Sequence, residues 1–282
     1  MSRQSDPRET PVFAAHQRPL RSAGLTWQPG CRADGITSPP VATASAVASM
    51  TCMARTRIKI CGIMRPQDAA IAAAAGADAI GMIFYPGAAR HIGLERAREI
   101  LSALPAFVTP VGLFVNQSAE EIRGITTALG LRHVQLHGQE PPALVGELAP
   151  LIVIKSVAAD AAHVASELDR WRSIPARPRP VNLAALVFET AGTGQHGGSG
   201  VANDFELLSA LRARGQLEGL PAIIAAGGLT PANVGAVIRQ LRPWAVDVSS
   251  GVESVRGDKS PQLIEQFVTA VAAADSQAHG AS

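Results

Sequence analysis

The sequence predicts an α/β fold, a single-domain (β/α)8 TIM barrel, from three observations. From Ile58 onward, short apolar runs alternate with amphipathic stretches, a pattern typical of parallel strands joined by helices. Eight strand–helix units can be counted over roughly 220 residues, which is the number and size of a closed barrel. No shift in composition marks a second domain, and eight similar repeats favour closure over a doubly wound open sheet.

The first four units lie between residues 57 and 148. Their first helix is expected to end at Gly76, because glycine tolerates the positive φ common at helix ends. The strands are predicted at Arg57–Cys61, Ala79–Phe84, Pro110–Val115 and His133–Leu136. The helices are predicted at Gln67–Ala75, Leu94–Leu104, Ala119–Leu129 and within Pro141–Leu148.

The last four units complete a barrel domain at residues 55–276, followed by a disordered tail at 277–282. Their strands are predicted at Leu151–Lys155, Ala184–Glu189, Pro221–Ala225 and Ala245–Ser249. Their helices are predicted at Ala161–Trp171, Asp204–Arg214, Pro231–Leu241 and Pro261–Ala274.

A different composition precedes the barrel. Residues 1–54 are rich in Ser, Thr, Ala, Pro and Arg and carry no apolar period. Three interpretations compete: a transit peptide, a secretory signal around the mild apolar run Val41–Met50, and a disordered leader or upstream extension before a start at Met50 or Met53. The third fits best, so we predict a disordered or non-native leader that takes no part in the chemistry.

Composition excludes several classes of protein. The chain has 282 residues, of which 47% are hydrophobic and 17% charged, with a net charge of +2. This apolar content excludes a disordered chain, and the absence of an eighteen-residue apolar run predicts no membrane helix. Residues 56–282 carry 19 basic and 20 acidic groups, so no nucleic-acid partner is expected. Three cysteines are too few for a disulfide framework or a zinc site, and we expect a reducing, cytoplasmic compartment and no metal.

Active sites of such barrels lie at the carboxyl ends of the strands, which makes the end of the first strand informative. Side chains alternate along a strand, so Ile58 and Ile60 are expected to face the helices, while Lys59 and Cys61 face the interior. Cys61 lies at the rim, before Gly62. Its thiol can act as a base or nucleophile if its pKa is lowered, or it can be a small buried apolar side chain.

Other polar side chains also follow strands. Glu189 closes the sixth strand and is expected to point inward, although a helix cap is an alternative. Arg90 lies in the loop after the second strand, where its forked guanidinium suits a carboxylate or phosphate, although a solvated loop arginine is the commoner case. His137 ends the fourth strand and either lines the site or is structural. With His133 and His163 it forms no metal-ligand spacing.

Three glycine clusters follow the sixth, seventh and eighth strands. Glycine lets backbone N–H groups converge on an anion, and helix N-termini add a favourable dipole. The loops after the last two strands are the usual phosphate site of this fold, so the clusters predict a phosphorylated small-molecule ligand. The candidate residues are Gly198 and Gly200 within Gly197–Gly200, then Gly227 and Gly228, then Ser250 and Gly251 after Ser249.

These motifs, taken together and in order, resemble the phosphoribosylanthranilate isomerase family over residues 57 to about 274. No single motif is specific, but the ordered set is. It comprises Lys59–Gly62, Phe84–Pro86 with Arg90, Val111–Asn116, Val134–Gly138, Gly197–Gly200, Ala226–Leu229 with Asn233, and Val246–Glu253.

The resemblance implies an enzyme of tryptophan biosynthesis that carries out the Amadori rearrangement of N-(5-phosphoribosyl)anthranilate, with no cofactor or metal, as a monomer or homodimer. It also implies roles for individual residues. Cys61 matches the family's general base, and Arg90 matches its arginine for the anthranilate carboxylate. The family's general acid is an aspartate, and the matching residue here is Glu189, which departs from that pattern. If Glu189 is not the acid, Asp247 is the next candidate.

Two other classes remain as alternatives. Related phosphosugar barrels include indole-glycerol-phosphate synthase, expected to show a lysine–glutamate pair at strand ends, and the histidine-pathway isomerase, expected to show two aspartates and two similar halves. Neither pattern is visible. A barrel that binds phosphate but has lost catalysis is suggested by the glutamate at 189, and retention of Cys61 argues against it.

Overall fold

The computed structural model describes residues 55–159, 162–172, 182–189 and 205–280. The predicted leader at 1–54 and the loop with Gly198 and Gly200 lie outside the described residues. All the other candidate site residues lie inside them.

Eight parallel strands close into a barrel in chain order, with β8 paired to β1. This confirms the predicted barrel. The strands are β1 (Arg57–Ile60), β2 (Ala79–Ile83), β3 (Thr109–Phe114), β4 (His133–Leu136), β5 (Ile152–Ala158), β6 (Leu183–Glu189), β7 (Ala222–Ala226) and β8 (Ala245–Val248). The helices are α1 (Pro66–Ala75), α2 (Leu94–Ser102), α3 (Ala119–Leu129), α4 (Pro142–Glu147), α5 (Val164–Arg172), α6 (Phe205–Ala213), α7 (Val234–Leu241) and α8 (Pro261–Gly280).

Most element boundaries lie within a few residues of the prediction, with three differences. Strand β5 continues to Ala158, past the predicted Lys155. Helix α8 continues through Gly280, because its alanine-rich end has high helix propensity, so the segment predicted as a tail is helical as far as this residue. A hairpin of β9 (Glu253–Val255) and β10 (Asp258–Lys259) was not predicted, since strands this short carry no readable period.

Two apolar layers follow from the alternation of side chains along the strands. The outward layer packs against the helices and contains Ile58 and Ile60, as predicted. The inward layer fills the barrel with small and branched side chains, including Val111, Val187 and Ile224. Above it, Cys61 packs with Leu113 and Val115.

Local signals fix the start of one helix and the end of another. Ser118 and Glu121 form a capping box at the start of α3, in which each side chain accepts a hydrogen bond from the other residue's N–H. Gly76 ends α1 in the left-handed conformation, as predicted. Among the helices in the described part of the chain, none combines the length and apolar character that crossing a membrane requires.

Candidate active site

Cys61 follows β1 directly at the carboxyl end of the barrel, and only 7% of its surface is exposed. Its N–H donates to the Val248 carbonyl oxygen at 2.8 Å, which continues the pairing of β1 with β8 beyond the strand. Burial raises the pKa of the thiol, and the charge of Lys59 opposes this rise. The thiol is therefore protonated at neutral pH, beside a cation that would stabilise the thiolate.

Lys59 and Asp247 form a buried ion pair inside the barrel, with Nζ 2.6 Å from Oδ2. Burial opposes the charge on Lys59, but Asp247 and Cys61 outweigh it and raise the pKa of the ammonium. Burial raises the pKa of Asp247 despite its lysine partner. The second oxygen, Oδ1, is buried and has no hydrogen-bond donor within the described residues. An acceptor is thus available here to a bound ligand.

His137 and Glu189 form a second pair, carried by the ends of β4 and β6. His137 Nε2 lies 3.1 Å from Glu189 Oε2, and the side-chain amide of Gln135 lies 3.0 Å from Nδ1. The imidazole is buried, whereas one fifth of the Glu189 side chain is exposed. Alternate strands of a barrel contribute side chains to one layer, which explains why β4 and β6 meet across β5.

The charges of this pair shift both pKa values. Burial opposes ionisation of each group, but their mutual attraction and hydrogen bond outweigh it. The pKa of His137 is raised, and the pKa of Glu189 is lowered. The charge of Lys59 also lowers the pKa of Glu189, and it opposes the rise in the pKa of the Cys61 thiol. Glu189 is therefore ionised near neutral pH, and the contact favours the protonated form of His137.

The backbone around His137 is held from the helix side of the sheet by a second buried ion pair. Lys155 Nζ lies 2.8 Å from Glu140 Oε2 and also donates to the carbonyl oxygens of Leu136 and Gly138, at 3.3 and 2.7 Å. Glu140 accepts the Gly138 N–H at 2.9 Å. The residues on both sides of His137 are thereby fixed, which orients the imidazole toward Glu189.

Arg90 is buried and bonded, not solvated. Its Nε and Nη2 donate to the two oxygens of Glu253, each at 2.7 Å. Glu253 also accepts from Lys259 Nζ at 2.8 Å. The Arg90 side chain passes over Gly62, where a Cβ would lie 2.5 Å from Arg90 Cδ. The aliphatic part of the arginine therefore lies next to Gly62, the residue after Cys61.

The loops after β7 and β8 pack against each other. A Cβ on Gly251 would lie 1.8 Å from the Leu229 carbonyl oxygen, so only glycine permits this approach. Within the described residues, the N–H groups of Gly228, Ser250 and Gly251 donate to no acceptor. Asn233 Nδ2 donates to the Gly228 carbonyl oxygen at 2.9 Å, which holds the first loop. N–H groups that have no acceptor in glycine-containing loops are suited to bind an anion.

The structure thus gathers most of the predicted residues at one end of the barrel. Cys61, Glu189, Arg90 and the loops of Gly227–Gly228 and Ser250–Gly251 all belong to carboxyl ends of strands or the loops after them. The sequence left open whether His137 lines the site, and it did not predict that Glu253 binds Arg90 or that Lys259 binds Glu253. No local pattern distinguishes those residues. Among the described residues, no group of three or more His, Cys, Asp or Glu side chains could hold a metal ion.

The barrel is similar to known proteins in sequence and in structure. The family model described as N-(5'phosphoribosyl)anthranilate (PRA) isomerase matches residues 58–270. The isomerase of Pseudomonas fluorescens is 43% identical over 221 residues, which are 78% of this chain and 97% of that protein. A crystal structure of monomers made from the dimeric enzyme of Thermotoga maritima aligns with a TM-score of 0.63 at 33% identity, over 77% of this chain and 99% of the other.

A further solved relative is a phosphoribosyl anthranilate isomerase in complex with reduced 1-(o-carboxyphenylamino)-1-deoxyribulose 5-phosphate. It aligns with a TM-score of 0.65 at 33% identity and covers 77% of this chain and 99% of the other. Fold and site together define a (β/α)8-barrel isomerase. The chain belongs to the N-(5'-phosphoribosyl)anthranilate isomerase family, and it is an enzyme of tryptophan biosynthesis.

Proposed function

We propose that the protein rearranges N-(5-phosphoribosyl)anthranilate to 1-(2-carboxyphenylamino)-1-deoxyribulose 5-phosphate, with Cys61 as general base and Glu189 as general acid. One observation carries the proposal. A thiol and a carboxylate from distant strands share the interior at one end of the barrel, and the charge of Lys59 acts on both. The reaction needs one acid and one base around the same sugar.

The reaction begins with two proton transfers, one from the acid to the substrate and one from the substrate to the base. The acid protonates the furanose ring oxygen, the bond from C1 to that oxygen breaks, and the nitrogen lone pair forms a Schiff base with C1. The base then removes the proton on C2, and the electron pair moves toward nitrogen to give an enol-amine. The enol-amine becomes the ketone when C1 gains a proton and the C2 hydroxyl loses one. Protons pass between protein and substrate while electron pairs move only within the substrate, so no redox partner is needed.

The protonation of Glu189 and His137 supports a role for the imidazole in delivering the proton. Because Glu189 is ionised and its contact with His137 favours the protonated imidazole, the proton delivered to the ring oxygen comes from the pair, not from Glu189 alone. Glu189 has the exposed end of the pair and would contact the sugar. Glutamate keeps the carboxyl function of the family's aspartate with about half a pKa unit of difference, and the contact with His137 fixes its longer side chain.

The protonated Cys61 thiol needs nearby cations that favour its ionised form. Burial keeps the Cys61 thiol protonated in the free protein, while the charges of Lys59 and Lys259 favour the thiolate. The thiol therefore has to lose its proton to water before it acts as the base, and these cations favour the thiolate that this step leaves. A thiolate formed beside Lys59 could remove the C2 proton without a metal ion.

Binding of the substrate would fix its two ends. The free N–H groups of Gly228, Ser250 and Gly251 would hold the phosphate, and Arg90 would hold the anthranilate carboxylate. Anchoring both ends places C1 and C2 between base and acid, which contributes to rate by orientation. A cytoplasmic location and an assembly as monomer or homodimer stay predictions.

The test is the loss of substrate fluorescence on addition of protein. Cys61→Ala and Glu189→Gln are each expected to reduce kcat by about 10²- to 10⁴-fold, while Glu189→Asp retains more activity than Glu189→Gln. Circular dichroism and melting temperature show whether each variant is folded. Near-wild-type turnover by folded Glu189→Gln would shift the acid role to Asp247, and near-wild-type turnover by Cys61→Ala would remove the thiol from the mechanism.

A further inference from the structure

Arg90 already forms a bidentate ion pair with Glu253 in the free protein. A substrate carboxylate could bind Arg90 only through N–H donors that this ion pair leaves unused. A guanidinium has five N–H donors, and a bidentate bond to a carboxylate uses two of them. Glu253 takes the edge formed by Nε and Nη2. Within the described part of the chain, Nη1 makes no hydrogen bond. The edge formed by Nη1 and Nη2 thus retains two parallel donors for a second carboxylate.

Charge is the second condition. An isolated Arg90–Glu253 pair would be neutral and would attract an anion weakly. Lys259 removes this difficulty, because its Nζ lies 2.8 Å from Glu253 Oε1 and 2.9 Å from the Ser249 carbonyl oxygen. The three side chains carry a net charge of +1 and are each about 5% exposed or less. A buried carboxylate arriving at Arg90 would therefore be compensated.

We propose that Glu253 and Lys259 are positioning residues for substrate selectivity: Glu253 fixes the guanidinium of Arg90 over Gly62 with one edge free, and Lys259 keeps the cluster positively charged. The proposal rests on the assignment of the substrate carboxylate to Arg90. Its consequence is specific. The two residues govern discrimination between ligands with and without the aromatic carboxylate.

The hairpin that carries these residues explains why they are fixed. Glu253 opens β9 and Lys259 closes β10, so both side chains come from one short hairpin after β8. The Gly257 N–H at the hairpin turn donates to Glu253 Oε2 at 3.1 Å. The hairpin is also tied to the start of α1 by the ion pair between Arg65 and Asp258 at 2.8 Å. The hairpin after β8 and the segment between β1 and α1 thus together hold Arg90 in place.

The experiment compares two stable ligands by calorimetry. One is reduced 1-(o-carboxyphenylamino)-1-deoxyribulose 5-phosphate, and the other is the same compound without the carboxylate. The wild type is expected to prefer the carboxylated ligand. Lys259→Met makes the cluster neutral and is expected to reduce this preference by about tenfold or more, so that the Kd of the carboxylated ligand changes more than the Kd of the other ligand.

A double variant separates charge from position. Glu253→Gln with Lys259→Met restores the net charge of +1 but removes the bidentate bond, so its preference is expected to remain about tenfold below the wild type. A double variant with wild-type preference would show that only charge matters and would overturn the positioning role. Equal weakening of both ligands in the variants would also overturn it, because that is the signature of a damaged fold.

Two outcomes concern the wild type. If it binds both ligands equally, Arg90 does not hold the carboxylate, and the inference fails while the isomerase reaction stands. If it binds neither, the proposed function fails and the inference with it. Melting temperatures of all variants accompany the titrations, so that a loss of folded protein is not counted as a loss of selectivity.

Discussion

His137 Nε2 and Glu189 Oε2 lie 3.1 Å apart, and this contact couples the protonation of the two residues. A glutamate alone at this strand end would be a simple carboxylic acid. Paired with a buried imidazole, it is an ionised group next to a proton carrier. The contact therefore determines over which pH range the site can deliver a proton.

The first prediction concerns that pH range. The pKa of His137 is raised above its ordinary value of 6.5, so kcat is expected to fall as the pH rises through this raised value and the pair loses its proton. In His137→Gln the amide carries no such proton, and the alkaline limb is expected to move to lower pH. His133→Gln, at the other end of β4, is the control. Identical alkaline limbs in wild type and His137→Gln would contradict the assignment.

The second prediction concerns stability in acid. Burial opposes ionisation of Glu253, but the hydrogen bonds from Arg90 and Lys259 hold its pKa at about 2, against an ordinary value of 4.5. Because the folded-state pKa is the lower one, the carboxylate contributes fully above about pH 4.5, and this contribution is lost as the pH falls toward 2. The difference in unfolding free energy between wild type and Glu253→Gln should shrink on acidification. Glu99→Gln, at an exposed position, is measured in parallel as the control.

The third prediction concerns the ion pair behind His137. Lys155→Met leaves Glu140 buried without its cation and is expected to reduce the unfolding free energy by about 3–5 kcal/mol in urea titrations. Adding Glu140→Gln should recover part of this loss, because the unpaired charge is removed. Arg96→Met, which breaks an exposed pair with Glu99 on α2, should cost less than about 1 kcal/mol. Equal losses at both sites would mean that burial of the pair is unimportant.

The fourth prediction concerns Gly62. Alanine here would need a φ near +75°, and its Cβ would lie 2.5 Å from Arg90 Cδ. We expect Gly62→Ala to reduce stability by about 1–3 kcal/mol and to raise KM by displacing Arg90. Gly93→Ala is the matched control, since its Cβ would meet nothing within 4 Å. An unchanged KM in Gly62→Ala would show that Arg90 tolerates the displacement.

The fifth prediction concerns the residues before the barrel. The family match begins at residue 58, so a chain beginning at Met53 should keep kcat and KM within about twofold of the full chain. Steady-state kinetics of the two chains test this. A large loss of activity at an unchanged melting temperature would assign the leader a part in the site.

The sequence by itself determined the barrel and the rim positions of Cys61 and Glu189. Both follow from local rules: apolar periods mark strands and helices, and alternation decides which side chain points inward. The glycine clusters could also be predicted as loops, because two backbones approach closely only where a residue has no Cβ.

Only the tertiary structure decided the ionic partners. Lys59 and Asp247 are separated by 188 residues, and Arg90 and Glu253 by 163, so no local pattern links them. The same holds for protonation, because a pKa depends on burial and on charges brought close by barrel closure. The inward direction of Glu189 was therefore predictable, whereas its ionised state beside His137 was not.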